Sequence, residues 1–430
     1  MKSKSSELNK EKIFDKIITS YVIINLLYVF ICSYLSTVGI VYYRNYGKSM
    51  IGALILNTIF IVIMVIIKKF KFKNYKFKIY DLLIILLSIF AIISCKFAIS
   101  RYAALYGFYL RYEGVFAILY YYSVFYITSF VKKEHKKILA VLIVILGVID
   151  SIYAYLQMSG SSLVKKIYDG NSILVVGFNN NPNFFATNML LSLSVCIGLF
   201  IDTSDKLYKV IYGMFIIILM YGLTVSNTRS CIVGLFVVFL YILVFVIKNK
   251  KWADLGIIIL LISLVFMYMH FNGMTTLVHF LNGTKNETIK LISGDSNSSF
   301  GAKRLGVWKY SMMIAPHYFL HGAGIDNFAF AFGGRAIRIG PYMFDKAHNE
   351  YIQLLITQGI FAFISYLVLI GIVLFNGIKN SFKEKELYLV LPVIGYLVQA
   401  FFNISVIDVA PVFFLSLGLL VLRKNKNFIS

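Results

Sequence analysis

VIYGMFIIILMYGLTVSNTRSCIVGLFVVFLYILVFVI (210–247) contains a single charged residue, Arg229. An apolar run this long cannot be a core helix of an ordinary soluble domain. A membrane-spanning helix needs about 20 predominantly apolar residues, so the stretch reads as two spans joined by the short polar turn SNTRS (226–230). The same pattern recurs along the chain. Further apolar runs fall at 17–39, 50–67, 80–95, 113–131, 138–157, 183–201, 254–272, 352–376, 387–405 and 411–422. With 210–226 and 230–247 they predict an all-α polytopic membrane protein of twelve spans.

Composition agrees. The chain has 430 residues, of which 59% are hydrophobic and 14% charged. Soluble proteins carry about 25% charged residues. Aromatics at 17% exclude disorder. The formal charge of +23 would suggest nucleic acid in a soluble chain, but here the apolar fraction makes the membrane the partner and no nucleic acid is expected. Cys32, Cys95, Cys196 and Cys231 lie in or beside apolar runs, match no metal or disulfide spacing, and read as small packing residues. The histidines form no metal-binding pattern, so neither metal nor cofactor is expected. The charged N-terminal segment precedes a first apolar run too long for the core of a signal peptide, and no cleavable leader is expected.

The loops orient the spans. Cytoplasmic loops are enriched in Lys and Arg. With the N-terminus inside, the inside loops are KKFKFKNYKFK (68–78), KKEHKK (132–137), DTSDKLYK (202–209), KNKK (248–251), KNSFKEKEL (379–387) and the tail RKNKN (423–427). The expected arrangement is therefore nine spans over 1–272, one long extracytoplasmic loop over 273–347, and three spans with a cytoplasmic tail over 348–430. Abundant Lys, Ile, Asn, Tyr and Phe hint at an AT-rich bacterial genome. A loop as long as 273–347 is usually functional. Its amphipathic stretches, RLGVWKYSMMIAP and the run from Asp345, predict short helices over the membrane face.

Several residues in this framework carry chemistry. In DKAHNEYIQLLITQG, Asp345 reads as a helix N-cap and His348 as the third helical residue. A helix N-terminus disfavours a protonated imidazole, which leaves a neutral base. The plainer reading is a loop histidine packed at the membrane surface. Arg229 falls in the first turn of the eighth span, where a cation opposes the helix dipole. It reads either as a snorkelling arginine or as the binder of an anion. Arg304, beside Lys303, reads either as a solvated charge or as a second guanidinium for a diphosphate. In GFNNNPNFFATNML, Asn181 caps a helix with Pro182 at its first position, and the neighbouring asparagines suit sugar hydroxyls. Arg111 and Glu113 sit near one another at the outer end of the fourth span, where a structural pair and a functional role are both open. HGAGIDNFAF (321–330) lacks the strand a dinucleotide site requires and reads as a tight turn or a backbone approach to a ligand.

Taken in order, FNNNPNFFA, TRSCIVG, RLGVWKYS, HGAGIDNF and AHNEYIQLLITQGIFA resemble the O-antigen ligase and polymerase family of bacterial membrane glycosyltransferases, chiefly over residues 175–375. The resemblance implies a fold akin to the C-type glycosyltransferases, an active site on the outer face, an undecaprenyl-diphosphate-linked glycan donor, and transfer to a hydroxyl on a glycan, lipid or protein acceptor. It implies His348 as the base, with Arg229 and Arg304 on the donor diphosphate. Lys303, Asn183, Arg111, Glu113, Arg335 and Arg338 are candidate accessory contacts. Two other classes suit twelve spans: a transporter of lipid-linked oligosaccharide or solute, and a non-catalytic scaffold for envelope assembly. A transporter often has related halves and broken helices near the midplane, neither of which is clear in the sequence, and a scaffold does not need those two arginines and the histidine to converge.

Overall fold

Every one of the twelve apolar runs contains a helix in the computed structural model, which describes residues 2–73, 75–109, 111–170, 172–272, 282, 285, 289, 304–333, 337–339, 342–421 and 423. In chain order these are α1 (Lys2–Thr37), α2 (Tyr43–Ile66), α3 (Ile79–Lys96), the short α4 (Arg101–Tyr106), α5 (Val115–Thr128), α6 (Lys133–Met158), α7 (Pro182–Asp202), α8 (Lys206–Val225), α9 (Arg229–Asn249) and α10 (Trp252–Phe271). They continue with α11 (Arg304–Ile314), α12 (Glu350–Glu384), α13 (Leu387–Gln399) and α14 (Ala410–Leu420). Among the described residues nine helices are long and apolar enough to cross a membrane, while α5, α13 and α14 are shorter. The protein is a polytopic all-α membrane protein. Its only described strands form two small antiparallel hairpins, Ile167–Asp169 with Ser172–Leu174 and Ile337–Ile339 with Tyr342–Phe344.

Helix α7 is the centre of the bundle. Almost all of its apolar window is buried, and it packs against α6, α8, α9 and α13. Lipid tails are as apolar as leucine, so helices in a membrane gain from close backbone approach rather than from hydrophobic exclusion. Gly198 supplies that approach: a Cβ there would overlap the backbone of Tyr388 on α13. Gly418 does the same for α14 against α5, where a Cβ would lie 2.7 Å from the Phe125 carbonyl oxygen.

Two chemically distinct ends result. One collects the lysine-rich turns and ties them with ion pairs: Lys68 to Asp15 at 2.7 Å, Lys133 to Glu384 at 2.8 Å, Lys209 and Lys251 to Asp254, and Arg423 to Asp81. The other gathers α4, α11, both hairpins, the starts of α7, α9 and α12, and the turn after α13. This end departs from the sequence reading twice. The run expected to span 387–405 ends as a helix at Gln399, and the following turn is knit to α12, with the Glu350 amide donating to the Ala400 carbonyl at 2.9 Å. The tenth run is also not one straight helix. Gly359 has φ 82° and ψ 177°, which breaks α12 after Gln358. The turn at 319–324 enters the gap: Ala323 and Gly324 donate to the carbonyls of Ile356 and Thr357 at 2.8 and 3.0 Å, and the Ile360 amide donates to the Phe319 carbonyl at 2.7 Å. HGAGIDNFAF is thus the tight turn of its two readings, wedged against a helix break.

Candidate active site

The segment Asp345–Asn349 is fastened at almost every residue, and the fastening differs from the sequence reading. Asn349, not Asp345, is the N-cap: its side-chain oxygen accepts from the amides of Tyr351 and Ile352, both at 3.0 Å. Asp345 is unavailable as a cap because its carboxylate takes Arg111, at 2.7 Å from Nε and 3.0 Å from Nη2. His348 therefore precedes the helix and does not occupy its third position. It adopts φ 47°, in the left-handed region that a non-glycine residue enters only when its surroundings hold it. Those surroundings are visible. The Ala347 carbonyl accepts from Trp308 Nε1 on α11 at 3.0 Å, and the Ala347 amide donates to Gln353 Oε1 at 2.9 Å. The His348 ring meets Phe344 edge-on at 5.6 Å, and its Nδ1 is buried with no hydrogen-bond partner among the described residues.

Charge around the imidazole is mostly positive. Burial is the largest influence and lowers its pKa. The guanidiniums of Arg304 and Arg111 lower it further, Asp345 opposes them, and the result is about 4. The imidazole is uncharged at neutral pH, but through burial and neighbouring cations rather than through the helix dipole. Arg111 and Asp345 each hold the other charged. Burial works against both, yet the two-point pairing outweighs it, keeping Asp345 below the usual carboxylate range and Arg111 above its own.

The remaining sequence candidates distribute as follows. Arg304 opens α11, the helix whose Trp308 holds Ala347, and its charge reaches both His348 and Cys231 in the first turn of α9. Arg229 begins α9 as expected, next to Thr228, whose hydroxyl lies 3.4 Å from Asn183 Oδ1. Both arginines interact with neighbours. The Ser230 hydroxyl beside Arg229 is buried without a partner among the described residues. Asn181 caps α7 through the Asn183 amide at 2.9 Å, and Arg111 lies 5.9 Å from the Phe184 ring. His348, Arg304, Arg111 and Asp345 thus share one neighbourhood, and the starts of α7 and α9, carrying Asn183 and Arg229, border it.

Glu113 does not pair with Arg111. It is buried below this group, accepting from Lys346 Nζ at 3.0 Å, and Lys346 also reaches Asp326 at 2.7 Å. Burial alone would lower the Lys346 pKa; the two carboxylates outweigh it and hold Lys346 above its usual range. Lys303 and Arg335 lie outside the described residues. Arg338 is on the strand Ile337–Ile339, and its side chain lies outside them. Sequence reasoning missed Lys346, Asp326, Trp308 and Gln353. Nothing local marks them, since each acts through a partner distant in the chain or through the shape of the loop.

No curated protein and no solved structure matches the chain. Residues 214–367 match the family model described as O-antigen ligase, a stretch that begins in α8, carries Arg229 and Arg304, and ends in α12 beyond His348. Over that segment, about a third of its length, the chain is similar to the O-antigen ligase family.

Proposed function

We propose that the protein is a membrane glycosyltransferase that moves a glycan from an undecaprenyl-diphosphate-linked donor to an acceptor hydroxyl, as a surface-polysaccharide ligase or polymerase. The observation that carries the reading is the uncharged, partly buried imidazole of His348 set beside Arg304 and Arg111. His348 takes the proton of the acceptor hydroxyl. The hydroxyl oxygen attacks the anomeric carbon from the face opposite the diphosphate. The carbon–oxygen bond to the diphosphate breaks, and the bonding pair leaves with it, inverting the anomeric centre. Arg229 and Arg304 bind the departing diphosphate and stabilise its charge without a divalent metal. Asn183 and Arg111 serve as accessory contacts to the donor sugar or phosphate. The His348 group faces outward from the bacterial cytoplasmic membrane, with both termini and the lysine-rich turns inside; spans over 1–272 and 348–430 flank the 273–347 loop.

Donor binding also readies the base. A free-enzyme value near 4 is low for a general base at neutral pH. A diphosphate on the arginines offsets the cationic field that depresses the imidazole, so the base strengthens as the donor arrives.

The test is incubation of purified protein with a polyprenyl-diphosphate-linked glycan, products being resolved by size. A ladder identifies a polymerase and one shifted acceptor a ligase. His348→Ala is expected to lower turnover by at least roughly 100-fold while the protein remains folded in the membrane. Full turnover by that variant removes His348 as the base, and glycan movement across vesicles without a product favours a transporter.

A further inference from the structure

Beneath the His348 loop lies a polar chamber that the proposed reaction does not use. It is a cavity of about 50 Å³ between the first turns of α12 and the start of α5. A water-sized occupant needs only about 10–15 Å³ measured this way. Its polar wall includes Glu113, Asp326, Lys346, Glu350 and Gln358.

That wall is rich in acceptors and poor in positive charge. Lys346 is the only basic side chain among the described residues that line it, and it is already shared by Glu113 and Asp326. The Glu350 carboxylate accepts from the hydroxyls of Tyr366 at 2.7 Å and Tyr396 at 2.8 Å, which leaves a lone pair on each oxygen. Gln358 is 6% exposed, and its Oε1 is buried with no partner among the described residues. Three carboxyl groups against one ammonium leave the chamber short of positive charge in a buried place, a deficit that a bound cation or a proton makes good.

Glu350, Leu354, Thr357 and Gln358 lie on one face of the first half of α12. Gln358 is its last residue before the break at Gly359, and because the 319–324 turn already takes the Ile356 and Thr357 carbonyls, the free ligand this end offers the chamber is the Gln358 side-chain oxygen. A helix interrupted next to buried oxygen ligands is an arrangement that binds small monovalent cations in membrane proteins. The ligands are all oxygen, which suits a hard ion. No group of three or more His, Cys, Asp or Glu able to hold a metal ion occurs among the described residues, so a charge-dense divalent site is disfavoured and an ion satisfied by one carboxylate and neutral oxygens is favoured.

We infer that this chamber binds a sodium ion between the Glu350 carboxylate and the Gln358 amide oxygen. The ion ties the first turn of this half-helix to its last turn at Gln358, and so stiffens the segment from which Gln353 holds the Ala347 amide beside His348. The site stands whether or not His348 acts as a base.

The test is radioactive sodium binding to the purified full-length chain in lipid nanodiscs, with choline chloride holding ionic strength constant. Wild type is expected to bind sodium saturably and to melt at higher temperature in sodium than in choline. Gln358→Leu and Glu350→Gln are expected to lose roughly tenfold or more in affinity. Gln358→Glu, which keeps an oxygen at the same place, is expected to retain binding, so loss in the other variants is not mere misfolding. Absence of saturable binding by folded wild type overturns the inference, as does undiminished binding by Gln358→Leu. A melting temperature that follows pH but not sodium overturns it too, because protons then neutralise the chamber.

Discussion

His348 gains its character from groups brought to it by other segments. Arg304 and Arg111 hold its pKa down, so removing either cation must raise it. Arg304→Ala is therefore expected to move the acidic limb of the kcat/KM profile upward from about 4 toward the ordinary histidine value near 6.5. In wild type the limb of kcat, which reports the donor-bound enzyme, is expected at higher pH than that of kcat/KM. Coincident limbs, unmoved by the substitution, separate this imidazole from the titrating base. The stability sign follows from the same depression. Between about 4 and 6.5 the unfolded imidazole binds a proton that the folded one does not, so His348 costs stability as pH falls through that window. Lys346 is the second decisive residue. It is 2% exposed and neutralises two buried carboxylates. Lys346→Met strands Glu113 and Asp326 and is expected to cost about 3–5 kcal/mol in reversible unfolding, with Lys346→Arg recovering part of the loss. A loss below about 0.5 kcal/mol shows that Lys346 does not hold the two carboxylates in place.

Helix α12 shows how an element can be legible in outline and not in detail. Its apolar run announces a helix, and Asn349 is a good cap, but so is Asp345, and sequence offers no means to choose between them. The choice is made by Arg111, more than two hundred residues away, which takes the Asp345 carboxylate. The break at Gly359 was equally unmarked, because an isolated glycine inside a helical pattern is usually tolerated. Here it adopts φ 82° with ψ 177°, a conformation essentially restricted to glycine. Gly359→Ala is expected to destabilise the protein by on the order of 1–3 kcal/mol. Its Cβ would also stand 2.5 Å from the Leu320 carbonyl oxygen and push on the 319–324 turn. Thermal unfolding compared with Gly371→Ala, where a Cβ meets nothing within 4 Å, isolates the effect of the break from that of helix propensity.

At the scale of the molecule, the alternation of helices puts the lysine-rich turns at one end and the His348 group at the other. The proposed orientation predicts the labelling of single cysteines introduced on a background without the four native ones. Lys48→Cys and Lys166→Cys are expected to react with a membrane-impermeant maleimide in intact cells, and Lys206→Cys and Lys250→Cys only after permeabilisation. The opposite pattern places the His348 group on the cytoplasmic side and rules out transfer at the outer face. Twelve apolar runs, their order and the segregation of lysine were readable without coordinates, because each depends on composition within a window of about 20 residues. The family motifs were readable for the same reason: they are short and contiguous. Only the tertiary structure paired Arg111 with Asp345 and Lys346 with Glu113 and Asp326, broke α12 at Gly359, and enclosed Glu350 and Gln358 around a chamber. Those outcomes depend on which buried charges meet across distant segments, and the cost of leaving a charge without a partner in a dry interior is set by three-dimensional neighbours that no local pattern encodes.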